Sequence, residues 1–197
     1  MDFLERHTTK LAFAISPLDD YTKGKPIGGV DVSLKGRKEK PVKNLSSYYL
    51  FLDLPDDSYT VQVRSDYYFD EELGTTAELD AKNPVVNITL KPKPSYPFPL
   101  GATLIRGKVY DSGGEAVSGA KVRVKEKGVE NKTTEKGEFV LYFRPLTEDE
   151  IIEVDGKRFV KGDEDMIIHL EVEYEGVTKT LGLEVCEGKT ISVASIK

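Results

Sequence analysis

The chain has 197 residues, enough for one large or two small domains, and 39% of them are hydrophobic while 31% are charged. This composition excludes a disordered chain and a membrane-embedded one. The net charge of -6 lacks the basic face that sequence-independent binding to nucleic acid needs, and it equally disfavours electrostatic attachment to an anionic membrane.

The N-terminal segment does not have the pattern of a secretory signal. Asp2 and Glu5 come first, and the apolar run from Leu11 to Ile15 is shorter than the roughly 7–15 residues that a signal requires. No stretch approaches the roughly 20 apolar residues that span a membrane. A single cysteine, Cys186, excludes an intramolecular disulfide. We therefore expect a cytoplasmic protein without membrane insertion, with export by a signal-independent route as the alternative.

Alternation of apolar and polar residues predicts five strands in the first half of the chain. These strands are at 9–15, 29–35, 47–53, 58–65 and 85–91. A proline-rich segment follows and contains Pro92, Pro94, Pro97 and Pro99. Proline fixes φ and removes a backbone donor, so this segment is predicted to be an extended, semi-rigid spacer. It divides the chain into a first domain of residues 1–92, a linker of residues 93–99 and a second domain of residues 100–197.

The second half has six predicted strands separated by glycine-containing turns. The strands are at 103–110, 119–126, 137–143, 165–174, 177–185 and 189–196. The turns contain Asp111–Gly114, Glu135–Gly137 and Glu175-Gly176. No window of about a dozen residues keeps a helical period. Short strands with such turns predict an all-β fold, with each domain an antiparallel sandwich or barrel.

The two halves resemble each other in register. Lys25–Leu34 aligns with Glu115–Val124, and Ser46–Pro55 aligns with Lys136–Pro145 at the same offset of 90 positions. Within the first pair, Gly29 falls on Gly119. Two segments at one offset indicate a duplicated module of domain size.

The second half carries a recognisable motif. Its pattern is G-x-V-x-D, then a glycine-valine turn leading to G-A-x-V-x-V, then T-x-x-x-G-x-F. The positions are Gly107, Val109, Asp111, Gly114, Val117, Gly119, Ala120, Val122, Val124, Thr133, Gly137 and Phe139. This half resembles a carboxypeptidase regulatory-like domain, which implies a transthyretin-like (prealbumin-like, Ig-like) β-sandwich. Ala116 stands where the family usually has proline, and an acidic insert, Leu146 to Asp165, replaces the family's L-P-x-G-x-Y turn.

The first half resembles that family more distantly. It keeps Pro26-Ile27, Gly29 and Val30, and Leu54–Tyr59 carries a version of the missing turn with Asp57 in place of glycine. The resemblance thus implies two tandem prealbumin-like sandwiches. It does not imply an activity, since one fold serves many functions.

The sequence offers few groups for catalysis or metal binding. There are two histidines: His7 lies near the N-terminus, and His169 is predicted on the polar face of a strand beside Glu171. Acidic clusters are the remaining candidates for a divalent-ion site, and none has EF-hand spacing. They are Asp19-Asp20, Asp53 with Asp56-Asp57, Asp70–Glu72, Glu148–Glu150 and Asp163–Asp165. We expect no catalytic residue, no metal and no cofactor.

Aromatic residues suggest an interaction surface instead. The candidates are Tyr48, Tyr67, Tyr68, Tyr96 and Phe98. Exposed tyrosines provide large, rigid contact area at a low cost in conformational entropy. The leading hypothesis is a non-catalytic, rigid two-domain adaptor that binds a protein partner in a larger assembly. The alternatives are a module that binds carbohydrate or peptide through these tyrosines and, ranked last, a divergent hydrolase with a carboxylate pair.

Overall fold

The structure, a computed structural model, describes residues 8–75, 79, 82–163 and 165–196, so His7 and Glu164 lie outside the described residues. The chain divides into two compact units, Met1–Pro92 and Lys93–Lys197. The predicted all-β fold is confirmed. Regular structure in the described part consists of β-strands and two 3-10 turns of three residues each.

The described residues of the first unit form seven strands in two sheets. They are β1 (Leu11–Asp19), β2 (Val30–Leu34), β3 (Val42–Lys43), β4 (Tyr49–Leu52), β5 (Tyr59–Ser65), β6 (Glu71–Thr75) and β7 (Val85–Leu90). The strand orders are β3-β4-β1-β7 and β2-β5-β6. The ring of Phe13 in β1 lies 4.9 Å from that of Phe51 in its own sheet and 5.9 Å from that of Tyr59 in the other. The sheets therefore pack face to face as a sandwich.

Nine strands lie in the described part of the second unit. They are β8 (Leu104–Val109), β9 (Lys121–Val124), β10 (Val129–Lys132), β11 (Glu138–Tyr142), β12 (Ile151–Val154), β13 (Lys157–Val160), β14 (Ile167–Tyr174), β15 (Val177–Glu184) and β16 (Thr190–Ile196). One sheet has the order β10-β9-β14-β15, a second has β11-β8-β16, and β12-β13 is a separate hairpin. Inward residues of both larger sheets, such as Ile105, Leu141, Val122 and Leu170, form one buried cluster.

The two units share the pairing of their principal strands, although β3 pairs with β4 in the first unit whereas β10 pairs with β9 in the second. In the first unit, the first strand β1 pairs antiparallel with β4 and parallel with the last strand, β7. In the second unit, the first strand β8 pairs in the same way with β11 and β16. The second strand pairs antiparallel with β5 or β14, whose other neighbour is β6 or β15. In each unit one of the two main sheets thus includes a parallel pair, and the other is antiparallel throughout, as predicted. Alternation within a strand fixes its faces and carries no information about the direction of its neighbour.

The Gly119 position explains part of the sequence motif. Gly119 has φ 73°, in the left-handed region where a side chain is strained, and its N–H donates to the carbonyl of Thr133 at 3.1 Å. The side chain of Thr133 then accepts from Ala120 N–H at 2.9 Å and donates to the Val117 carbonyl at 2.6 Å. The glycine and threonine of the motif therefore close the entry to β9.

The acidic insert is folded, which its composition did not predict. It contains a 3-10 turn at Glu148–Glu150 and the β12-β13 hairpin, whose turn is Asp155-Gly156. Both turn residues have positive φ, 51° and 71°, as a two-residue hairpin turn requires. Three other short strands, β3, β6 and β10, lie in segments where we predicted none.

The proline-rich segment is not an extended spacer. The N–H of Tyr96 donates to the carbonyl of Lys93 at 3.0 Å, which closes a turn with Pro94 at its second position. The Arg106 side chain of β8 then donates to the Pro94 carbonyl at 2.7 Å. Proline favours the turn because its fixed φ suits that position, and the turn lets the segment fold onto β8 of the second unit.

Candidate interaction surfaces

The five predicted aromatic residues do not form one exposed surface. Tyr68 and Tyr96 are buried, at 0% and 4% exposure. Tyr48, Tyr67 and Phe98 are partly exposed. The prediction of exposure was therefore wrong for Tyr68 and Tyr96.

Tyr68 is buried because its hydroxyl completes a polar network inside the first unit. The hydroxyl donates to Asp19 Oδ2 at 2.9 Å and accepts from Ile27 N–H at 3.0 Å. Asp19, itself 0% exposed, accepts from the N–H groups of Tyr21 and Thr22 through Oδ1 at 2.7 and 3.2 Å. The carboxylate of this predicted acidic cluster thus fixes the turn after β1, since a buried carboxylate needs several donors.

Phe98 belongs to an aromatic group on the second unit. Its ring lies 4.6 Å from that of Tyr96 and 5.6 Å from that of Tyr142 in β11. The guanidinium of Arg106 stands 5.6 Å from the Phe98 ring centroid, and burial lowers the pKa of Arg106. The geometry is that of a cation–π contact that holds the segment before β8.

Tyr67 packs against the backbone of its own unit. A Cβ placed on Gly28 would lie 2.7 Å from two atoms of the Tyr67 ring, so glycine makes room for this ring. Tyr48 lies in the turn before β4, where its N–H donates to Asn44 Oδ1 at 2.9 Å. These two tyrosines have different local partners, which does not support a shared binding platform.

The outer face of the β10-β9-β14 sheet carries cross-strand charge pairs. Lys121 pairs with Glu130 at 3.1 Å, and Arg123 pairs with Glu171 at 2.6 Å and with Glu173 at 3.9 Å. The pKa of Arg123 is raised by its hydrogen bond to Glu171. Such pairs set strand register and contribute little net stability while they remain exposed.

His169 lies on this polar face, as predicted, but its partner is Glu126. Glu126 Oε1 accepts from the backbone N–H of His169 at 2.9 Å and lies 2.7 Å from His169 Nδ1. Burial raises the pKa of Glu126, but hydrogen bonds from its own backbone and from His169 outweigh this effect and lower it. No sequence pattern indicates this pair, because 43 positions separate the two residues.

One carboxylate of the acidic insert, that of Glu148, is hydrogen-bonded to an arginine. Arg158 donates to both oxygens of Glu148, at 3.0 and 3.1 Å, and to Glu187 at 2.6 Å. The hydrogen bond to Arg158 lowers the pKa of Glu148. Within the described residues, no group of three or more His, Cys, Asp or Glu side chains is arranged to hold a metal ion. Glu148 and Glu187 therefore have a structural partner, Arg158.

β15 is a long strand that is exposed over most of its length. Its first six residues and its last are exposed, and its side chains include Val177 at 59% and Leu181 at 37% exposure. It pairs with β14 on one side and is the edge of its sheet on the other. An exposed edge presents a row of backbone donors and acceptors to a partner strand.

The known proteins that resemble this chain are solved structures with a similar fold. No family model and no curated protein matches the chain. The resemblance to carboxypeptidase regulatory-like domains therefore stays a prediction.

Three solved structures are similar to this chain at low identity. They are the Bacillus anthracis TIE protein (15% identity, TM-score 0.30), a streptococcal ancillary pilin (12%, 0.30) and the shaft pilin SpaA from Lactobacillus rhamnosus GG (10%, 0.27). They cover 92%, 96% and 96% of this chain. The chain spans 32%, 62% and 98% of theirs.

The expected cytoplasmic location is corrected by these neighbours. Two of them are named as pilins, which does not agree with a cytoplasmic protein. Among the described residues, no helix has the length and apolar character needed to cross a membrane.

Proposed function

We propose that this chain is a non-catalytic structural module. It acts as a two-domain adaptor that has a rigid connection between its units and binds another protein. The observation that carries this proposal is a set of hydrogen bonds within each unit that fixes the residues next to the boundary between Pro92 and Lys93.

The first unit holds the end of its own chain. Phe69 N–H donates to the Lys91 carbonyl at 2.9 Å, and Tyr68 forms an isolated antiparallel bridge with Pro92. The second unit holds the next residues through the turn that starts at Lys93 and through the Arg106–Pro94 hydrogen bond. Because both sides of the boundary are bonded, few backbone angles remain free to vary, which favours a rigid connection.

The polar interior supports a structural role as well. Among the described residues, the buried polar or charged side chains are those of Asp19, Thr103, Asn131 and Thr133. Thr103 Oγ1 accepts from Gly188 N–H at 2.8 Å, and Asn131 Nδ2 donates to the Val140 carbonyl at 3.0 Å. With the Asp19 and Thr133 networks above, each of these groups satisfies backbone of its own unit, as structural polar groups do.

The test is small-angle X-ray scattering on the monomer, separated by size exclusion immediately before measurement. We expect a narrow distance distribution for the wild type and a broader one for the Tyr96→Ser, Phe98→Ser double variant, which loses the aromatic hold on the segment before β8. A Tyr48→Ser variant is the matched control and should scatter like the wild type. A wild-type profile already as broad as that of the double variant would contradict the adaptor proposal.

A further inference from the structure

β15 is the longest edge strand that the structure describes. It has eight residues and keeps continuous register with β14 over its whole length, from Ile167–Glu184 to Tyr174–Val177. The next longest edge, β16, is interrupted by a register shift between Val193 and Ile196. β15 contains no proline and a single lysine, Lys179. It therefore lacks most of the devices that protect edge strands from pairing.

The turn before β15 determines which of its backbone groups face outward. Glu175 and Gly176 have φ 48° and 79° and join paired residues, which identifies a two-residue turn with both central φ angles positive. In such a turn the N–H of Val177 bonds to Tyr174 and so points toward β14. Direction alternates along a strand, so the N–H and C=O groups of Thr178, Thr180, Gly182 and Glu184 point to the open edge.

We propose that β15 pairs antiparallel with β15 of a second copy of this chain, with Thr180 on the two-fold axis. The inference rests on the proposed interaction role and names its partner. The pairing joins two four-stranded sheets into one continuous sheet, through an interface that is the same on both copies.

Self-complementarity of the strand favours a second copy as the occupant. With Thr180 on the axis, Thr180 faces Thr180 of the second copy, and Thr178 faces Gly182. On the other face, Val177 meets Leu183. Cross-strand threonine pairs and β-branched apolar pairs stabilise antiparallel sheets.

The charges of β15 agree with this register. Lys179 and Glu184 have no ion pair among the described residues. In the proposed register neither lies opposite a residue of like charge, because Lys179 lies opposite Leu181 of the second copy. Moving the axis to Lys179 would place two lysines directly opposite each other, which is unfavourable. Moving it to Leu181 would leave Val177, which is 59% exposed, beyond the end of the paired strand.

The first experiment is sedimentation equilibrium on the full chain and on Thr180→Pro. We expect a wild-type dimer. The proline removes both N–H donors of the central pair while leaving the bonds from β15 to β14 in place, so the dimer dissociation constant should rise by about ten-fold or more. Hydrogen exchange across β14 and β15 checks that the hairpin stays folded. A wild type that is monomeric at every soluble concentration, or a proline variant that dimerises as tightly as the wild type, would overturn the proposal.

The second experiment tests the register and does not depend on proline. Thr180→Lys and Thr180→Glu each place like charges across the axis, so each should dimerise more weakly, whereas an equimolar mixture should form the mixed dimer in native mass spectrometry. Leu45→Lys is the control, because Leu45 is fully exposed in the first unit and takes no part in the proposed pairing, so this variant should dimerise as the wild type does. Equal amounts of mixed and like dimers would contradict a Thr180 axis. Failure of either experiment leaves the scattering test of the adaptor untouched, and the reverse also holds.

Discussion

Gly107 should be intolerant of any side chain, because the ring of Phe139 occupies the space where a Cβ would lie. A Cβ built on Gly107 is 2.7 Å from two ring atoms of Phe139 and 3.2 Å from the carbonyl oxygen of Val193. Phe139 is 1% exposed, so its ring has no open space into which it could move. Overpacking of this kind costs about 1–3 kcal/mol, against a gain of about 0.4–1 kcal/mol from restricting the unfolded chain.

We therefore expect Gly107→Ala to lower the free energy of unfolding of the second unit by about 1–2 kcal/mol. Urea unfolding followed by circular dichroism gives the free energy, and hydrogen exchange of peptides from β8 and β11 assigns the loss to this unit. Gly74→Ala in β6 is the matched control, because a Cβ there meets nothing within 4 Å, and it should be neutral or slightly stabilising.

A double-variant cycle tests the cause. Phe139→Leu removes the ring atoms that the new Cβ would meet, so the combined variant should lose less stability than the two single changes added together. If the two effects simply add, the Phe139 ring is not the obstacle at Gly107.

Two further predictions concern polar groups. Glu126→Gln should destabilise the protein at pH 7. Because the folded state lowers the pKa of Glu126, its contribution is fully present above the ordinary Glu pKa of about 4.3 and is lost as the pH falls through the lower pKa of the folded state. Unfolding free energies of both proteins measured from pH 3 to 7 should converge at the acid end, and a constant gap would refute the assignment. Tyr68→Phe should cost about 1–3 kcal/mol, because it removes the buried hydroxyl that bonds both Asp19 and the Ile27 N–H. A melting temperature equal to that of the wild type would show that the network is dispensable.

Strands with one buried face were predicted correctly. Val61 and Val63 in β5, or Ile168 and Leu170 in β14, alternate with exposed residues because the sandwich covers one side of each sheet. β6 was missed because Glu71–Thr75 has no apolar alternation. The insert hairpin was also missed, although it carries a turn signal, Asp155-Gly156.

The candidate surfaces were harder to predict than the strands, because burial of a tyrosine depends on distant partners. Tyr67 and Tyr68 are adjacent, yet Tyr68 is buried by Asp19 and Ile27, which lie 49 and 41 positions away. The pairing of Glu126 with His169 has the same origin.

The openness of β15 results from two features of the sequence acting together. The Glu175-Gly176 turn places β15 at the edge of a four-stranded sheet. The opposing sheet has three strands and ends at β16. The inward-facing row of β15 is therefore incompletely covered, so Val177 and Leu181 stay exposed although they alternate like core residues. From their alternation alone, Val177 and Leu181 would be predicted to lie in a core. The number of strands in the two sheets shows that the described part of the chain has no strand to cover them. A second copy that adds its own β15 at this edge would pair the backbone groups that the edge leaves open, which is the outcome that sedimentation of the Thr180 variants decides.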